Sequence, residues 1–135
     1  MSNLELVEKL NQGLAWELRA SALYSHYSAY VKGINRLHLK TFFDEEARES
    51  NTHADMVRAA IVKLGGEAIT DRDPTDIVHT IDYKVMLKEA LKTEQKAAEV
   101  YEVVLSLIKD EEMYDSIEQI YFQELRSVEE VTQLL

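Results

Sequence analysis

Tyr83-Lys84-Val85-Met86-Leu87-Lys88-Glu89-Ala90-Leu91-Lys92-Thr93-Glu94-Gln95-Lys96-Ala97-Ala98-Glu99-Val100-Tyr101-Glu102-Val103-Val104 contains no glycine or proline. It is rich in Ala, Leu, Glu, Lys and Gln, the residues that lose least on entering a helix. Tyr83, Leu87, Ala90, Glu94, Ala97, Tyr101, Val104 and, beyond the stretch, Ile108 recur at a spacing of three and four. That is the stripe of a helix facing a bundle, with one carboxylate in the middle of it. A lone helix has nowhere to bury such a stripe, so the reading demands partners.

The partners lie on either side. Val7, Leu10, Leu14, Glu17, Ser21, Tyr24, Ser28 and Val31 form one stripe. Leu39, Phe43, Glu46, Ser50, His53, Val57, Ala60 and Leu64 form a second, and Ile117, Ile120, Glu124, Ser127, Val131 and Leu134 a third. Gly33 and the pair Gly65-Gly66 stand where helices end, and Pro74 sits in the polar run Thr70 to Asp76. These marks predict four helices, at about 3–32, 35–64, 77–109 and 112–134, with a long connection between the second and third. The expectation is all-α: one four-helix-bundle domain spanning 1–135.

Composition narrows the function. With 135 residues the chain is long enough to bury one core. Fifteen Lys+Arg against 25 Asp+Glu leave a net charge of −10, which argues against nucleic-acid binding. There is no cysteine, so disulfides, Fe–S clusters and thiolate zinc sites are excluded. No uncharged apolar run approaches the ~18 residues of a membrane span. The first residues lack a basic region followed by an apolar one. A cytoplasmic protein with no membrane partner is expected.

Every stripe is broken by polar residues near its centre. Glu17 precedes Gly33 by sixteen residues and His53 follows Asn35 by eighteen, placing both roughly 24–27 Å from that turn. Glu94 precedes Asp110 by sixteen residues and Glu124 follows it by fourteen. Each helical pair therefore has its polar members at one level. The two pairs share that level only if the second connection runs the length of the bundle. Buried carboxylates lose several kcal/mol of hydration each unless something pairs with them. A divalent or trivalent cation does so, with carboxylate oxygens and an imidazole as its ligands. The alternative is internal salt bridges from Lys88, Lys92, Lys96 or Arg126, none of which lies on a stripe.

Gly13-Leu14-Ala15-Trp16-Glu17-Leu18-Arg19-Ala20, Thr52-His53-Ala54-Asp55, Leu64-Gly65-Gly66 and Lys92-Thr93-Glu94-Gln95 together resemble the ferritin-like superfamily, bacterioferritin-like and rubrerythrin-like chains above all. The resemblance covers nearly the whole chain and implies iron as cofactor or cargo, with ferroxidase activity or iron storage. The family pattern is Glu on helix one, Glu-x-x-His on helix two, Glu on helix three and Glu-x-x-His on helix four. It implies Glu17, His53, Glu94 and Glu124 as metal ligands, Glu124 bridging if two ions bind and His53 holding one of them. Tyr24 and Tyr101, each seven residues after a glutamate, are then hydrogen-bond donors or radical traps near the metal; as plain core aromatics they would only satisfy their hydroxyls.

The chain departs from the pattern twice. Ser50 stands where helix two has its glutamate and Ser127 where helix four has its histidine, and serine is a poor iron ligand. Glu46 compensates better in direction and Glu49 in height, with solvated or salt-bridged roles as the alternative for each. His26, His38 and His79 are expected at the surface. Asn51 replaces the haem-ligating methionine of bacterioferritins, so no haem is expected. The chain ends as its fourth helix closes, without the fifth helix of large storage cages. A homo-oligomer, a dimer or larger, is expected, with Trp16 or Tyr27 and Tyr30 at an interface. Two functions compete: iron binding with slow ferroxidase chemistry at a depleted site, and a non-catalytic assembly protein with a vestigial site. A mononuclear zinc or manganese hydrolase has less support, because no group to activate a nucleophile can be named.

Overall fold

The computed structural model of the chain describes residues 2–135. Four helices make up the architecture, α1 (Ser2–Tyr30), α2 (Arg36–Lys63), α3 (Tyr83–Leu107) and α4 (Glu111–Leu134), and no strand occurs among the described residues. A short turn carrying Gly33, at φ 81°, reverses the chain between α1 and α2. The C-terminus of α2 is closed by Gly65 at φ 76°, with Gly65 N–H donating to Val62 and Gly66 N–H to Ile61. That crossed pair satisfies two orphan carbonyls and needs a left-handed residue at its first position. Asp110 caps α4 by accepting from Met113 N–H at 2.8 Å.

The third helix begins at Tyr83, later than the 77 expected from sequence. Asp82 explains the shift: its extended backbone and its side chain, accepting from Lys84 N–H at 2.9 Å, make it the cap. Ile77 to Ile81 belong instead to the connection.

That connection decides the geometry of the bundle. It climbs along α1, rung by rung. Asn11 receives Ile69 N–H and donates to the Glu67 carbonyl; Ala15 O accepts from Asp73 N–H; Arg19 donates to the Thr75 and Asp76 carbonyls; Tyr27 donates to Val78 O. It therefore returns the chain to the end where α2 began. In consequence α3 runs antiparallel to α1 and parallel to α2, and α4 runs up beside α1. α1 packs on both α2 and α3, and α3 on α4.

Two apolar clusters fill the bundle. The lower holds Leu10, Leu14, Val57, Ile61, Tyr101, Val104, Ile117 and Ile120. The upper holds Leu23, Tyr24, Tyr27, Phe43, Met86, Leu87 and Val131. Tyr27 is fully buried within its own chain, which removes it from the expected interface, whereas Tyr30 remains 44% exposed. Trp16 is half-buried, with the Arg19 guanidinium 5.2 Å from its ring centroid.

Candidate metal centre

Between the two clusters lies a slab of buried polar groups: Glu17, Glu46, Ser50, His53, Thr93, Glu94, Glu124 and Ser127. Each is presented by the helical stripe that carried it in the sequence, and the long connection brings the two pairs to one level. Thr93 is the exception, lying beside Glu94 rather than on the stripe. Its hydroxyl accepts from Arg19 at 2.7 Å and donates to the Glu89 carbonyl.

One ligand atom each of Glu17, His53 and Glu124 lies within 4.8 Å of the others. His53 Nδ1 is 3.0 Å from Glu124 Oε1 and 3.4 Å from Glu17 Oε2. Its Nε2 is held by Gln123 Oε1, with Glu49 Oε1 farther off at 3.9 Å. Tyr101 donates its hydroxyl to Glu17 Oε2 at 2.7 Å. Gln123 and Arg19 were not singled out in the sequence, since a helical glutamine or arginine off the stripe carries no signal of its own.

Electrostatics mark the slab as starved of positive charge. Burial, reinforced by the neighbouring Glu124, holds the Glu94 carboxyl well above the usual range. Burial and the adjacent Glu17 push Glu124 up to about 8, and burial pushes Glu46 up to about 7. Burial alone would lower His53, but hydrogen bonds to Glu124 and Glu17 outweigh it and push the imidazole up to about 11. Its proton is the cation the carboxylates have found. The inward-reaching lysines of the alternative reading are absent: Lys92 pairs with Glu89, Lys96 with Glu99, and Lys88 is exposed. Arg126 donates to Phe122 O at 3.5 Å.

The remaining candidates fall as follows. Glu46 is buried and Glu49 is 38% exposed, so Glu46 alone of the two belongs to the interior. Tyr24 is fully buried and its hydroxyl has no hydrogen-bond partner, nor have Glu46 Oε1 and Glu124 Oε2. His26 and His79 are hydrogen-bonded to each other at 2.9 Å outside the bundle core, with Tyr30 packed edge-on against His79, and His38 is exposed.

A bundle of four helices around a buried carboxylate and imidazole layer defines a class, the ferritin-like proteins. The chain belongs to that family: the model of the ferritin-like domain matches residues 7–134. A crystal structure of a ferritin-like, diiron-carboxylate protein from Bacillus anthracis is 30% identical, with 100% of this chain and 98% of that one covered at a TM-score of 0.94. The dodecameric thioferritin of Bacteroides fragilis, a bacterioferritin-related protein, is 23% identical, with 96% and 83% covered at 0.88. A Dps protein from Bacillus brevis shares the fold at 15% identity, with 98% and 96% covered at 0.90. No curated protein matches the sequence. Among the described residues no helix is long and apolar enough to cross a membrane.

Proposed function

We propose that this chain binds iron in its buried slab and stores it or hands it on. Glu17, His53 and Glu124 hold the ion, with Glu94 beside Glu124. The observation that carries this reading is the convergence of the three side chains within 4.8 Å, where a proton on His53 is the positive charge at hand. The donor set fits: anionic oxygens suit ferric iron and an imidazole suits ferrous iron, zinc or manganese. Glu124 Oε2, buried without a donor, is a free coordination arm. Binding exchanges the His53 proton for the metal, because an imidazole must present a lone pair to coordinate.

Ferroxidase activity is the finer part of the proposal: iron(II) bound here is oxidised by dioxygen or peroxide. Anaerobic loading with Fe(II), followed by admission of oxygen, tests it. Oxidation faster than in buffer, lost in Glu17→Ala and His53→Ala, is the expected result. Identical traces from wild type and both variants would overturn it. The chain is further proposed to act in the cytoplasm as a homo-oligomer, a reading supported by the dodecameric thioferritin it resembles and tested by native mass measurement.

A second reading has its own observation. Ser50 and Ser127, 5% and 6% exposed, occupy the places of the bridging glutamate and the histidine, so each Glu-x-x-His pair keeps one member. A bundle that lost its chemistry and kept its assembly would look like this. Iron content at background after loading favours that reading.

A further inference from the structure

Three buried polar atoms have no hydrogen-bond partner: Glu124 Oε2, Glu46 Oε1 and the Tyr24 hydroxyl. Orphan atoms of this kind cost about 1–3 kcal/mol each, so three in one slab call for a common cause. Glu124 uses its two oxygens differently. Oε1 accepts from His53 while Oε2 has no partner. Glu46, 9% exposed, stands one helical turn before Ser50 and lines a cleft of about 410 Å³ between α2 and α4, together with Gln123 and Ser127. Its charge and that of Glu124 both act on Glu94, and all three act on Tyr24, so the four groups face one space.

We propose that Glu46, Glu94 and Oε2 of Glu124 form a second cation position, built of oxygen alone, with the Tyr24 hydroxyl beside it and an approach through the α2–α4 cleft. It rests on the reading of the slab as metal-binding and deepens it, by giving the two positions different chemistry. The first includes the His53 imidazole. The second has only hard oxygen donors, which suit Mn²⁺, Mg²⁺ or ferric iron rather than softer ions. Glu46 supplies, from one turn earlier on the same stripe, the carboxylate that Ser50 lacks. Glu45, Glu49, Glu129 and Glu130 line the cleft and draw cations toward it, while Arg126 at the same rim is turned to the Phe122 carbonyl.

Mn²⁺ titrated into the metal-free chain, followed by loss of the free-ion EPR signal, tests the proposal, as does anomalous diffraction from a crystal soaked in Mn²⁺. Wild type should take up two ions per chain. Glu46→Gln should take up one, with the remaining diffraction peak at His53, and His53→Ala should keep the ion at Glu46. Glutamine is isosteric and removes a buried acid, so an unchanged or higher melting temperature without metal shows that this variant folds. Wild-type stoichiometry in Glu46→Gln, or loss of both ions from it, overturns the second position. A single wild-type ion that His53→Ala loses and Glu46→Gln keeps overturns it too, and leaves the first position standing. A wild type that takes up neither Mn²⁺ nor Fe(II) overturns both.

Discussion

Tyr101 reaches Glu17 from the opposite helix, and Gly13 makes room for its ring. A Cβ on Gly13 would lie 2.9 Å from Tyr101 Cε1, and that ring is fully buried with nowhere to retreat. Alanine normally stabilises a helix interior by about 0.5–1 kcal/mol over glycine. Here the clash outweighs the gain, since overpacking a filled core costs about 1–3 kcal/mol. Gly13→Ala should therefore lower the melting temperature and displace the Tyr101 hydroxyl, visible as a changed tyrosine ultraviolet spectrum; Tyr101→Phe should lose the hydrogen bond while packing normally. The pH dependence of the metal-free protein also belongs at this scale. Glu46 rises from 4.5 to about 7, Glu124 from 4.5 to about 8 and His53 from 6.5 to about 11. Each group holds its proton more tightly folded than unfolded. Its contribution is complete below its unfolded value and is lost as pH climbs through its folded one. Melting temperature with chelator present should fall between pH 5 and 9, and a saturating cation should flatten the fall, because it replaces those protons. A metal-free melting temperature rising over that interval would contradict the protonated slab.

At the level of the elements, the four helices were legible because their stripes repeat without interruption, and the glycine marks set their ends within a few residues. The path of the connection was not. Its residues carry no periodicity, and what fixes it is Arg19, a charged side chain 3% exposed on α1. Arg19 donates to the carbonyls of Thr75 and Asp76 and to the Thr93 hydroxyl, tying α1, the connection and α3 together. Nothing in Trp16-Glu17-Leu18-Arg19-Ala20 says that this arginine turns inward, since its partners are backbone groups far along the chain. Burial lowers its pKa without threatening the charge at neutral pH. Removing it leaves buried acceptors unsatisfied, a loss on the order of 1–3 kcal/mol for each charged hydrogen bond. Arg19→Ala should release residues 67–79 before the helices melt. Hydrogen exchange would show this as faster exchange at Ile69 and Asp73 amides, with α2 and α4 protected as before. Uniform acceleration through all four helices would mean that Arg19 stabilises the bundle as a whole rather than pinning the connection.

The molecule as a whole is two apolar clusters separated by a slab that folding alone would not choose. Its level was readable from distances to the turns, whereas the orphan oxygens were not, because a missing hydrogen bond exists only once side chains have been placed. A buried ionisable layer is commonly replaced by apolar residues at no loss, or with a gain of about 1–4 kcal/mol. Glu94 is the sharpest case, being 4% exposed and kept from ionising by burial and by Glu124. Leucine has nearly its volume and needs no partner. Glu94→Leu should therefore melt several degrees above wild type when both are metal-free, at roughly 2–8 °C per kcal/mol for chains of this order of size. With saturating Mn²⁺ or Fe(II) the order should narrow or invert, because a ligand that binds only the folded state stabilises in proportion to its affinity. Paired melting curves with chelator and with metal read both effects from the same proteins. If Glu94→Leu were less stable than wild type without metal, the carboxyl would be part of the packing, and the slab would need no cation to account for it.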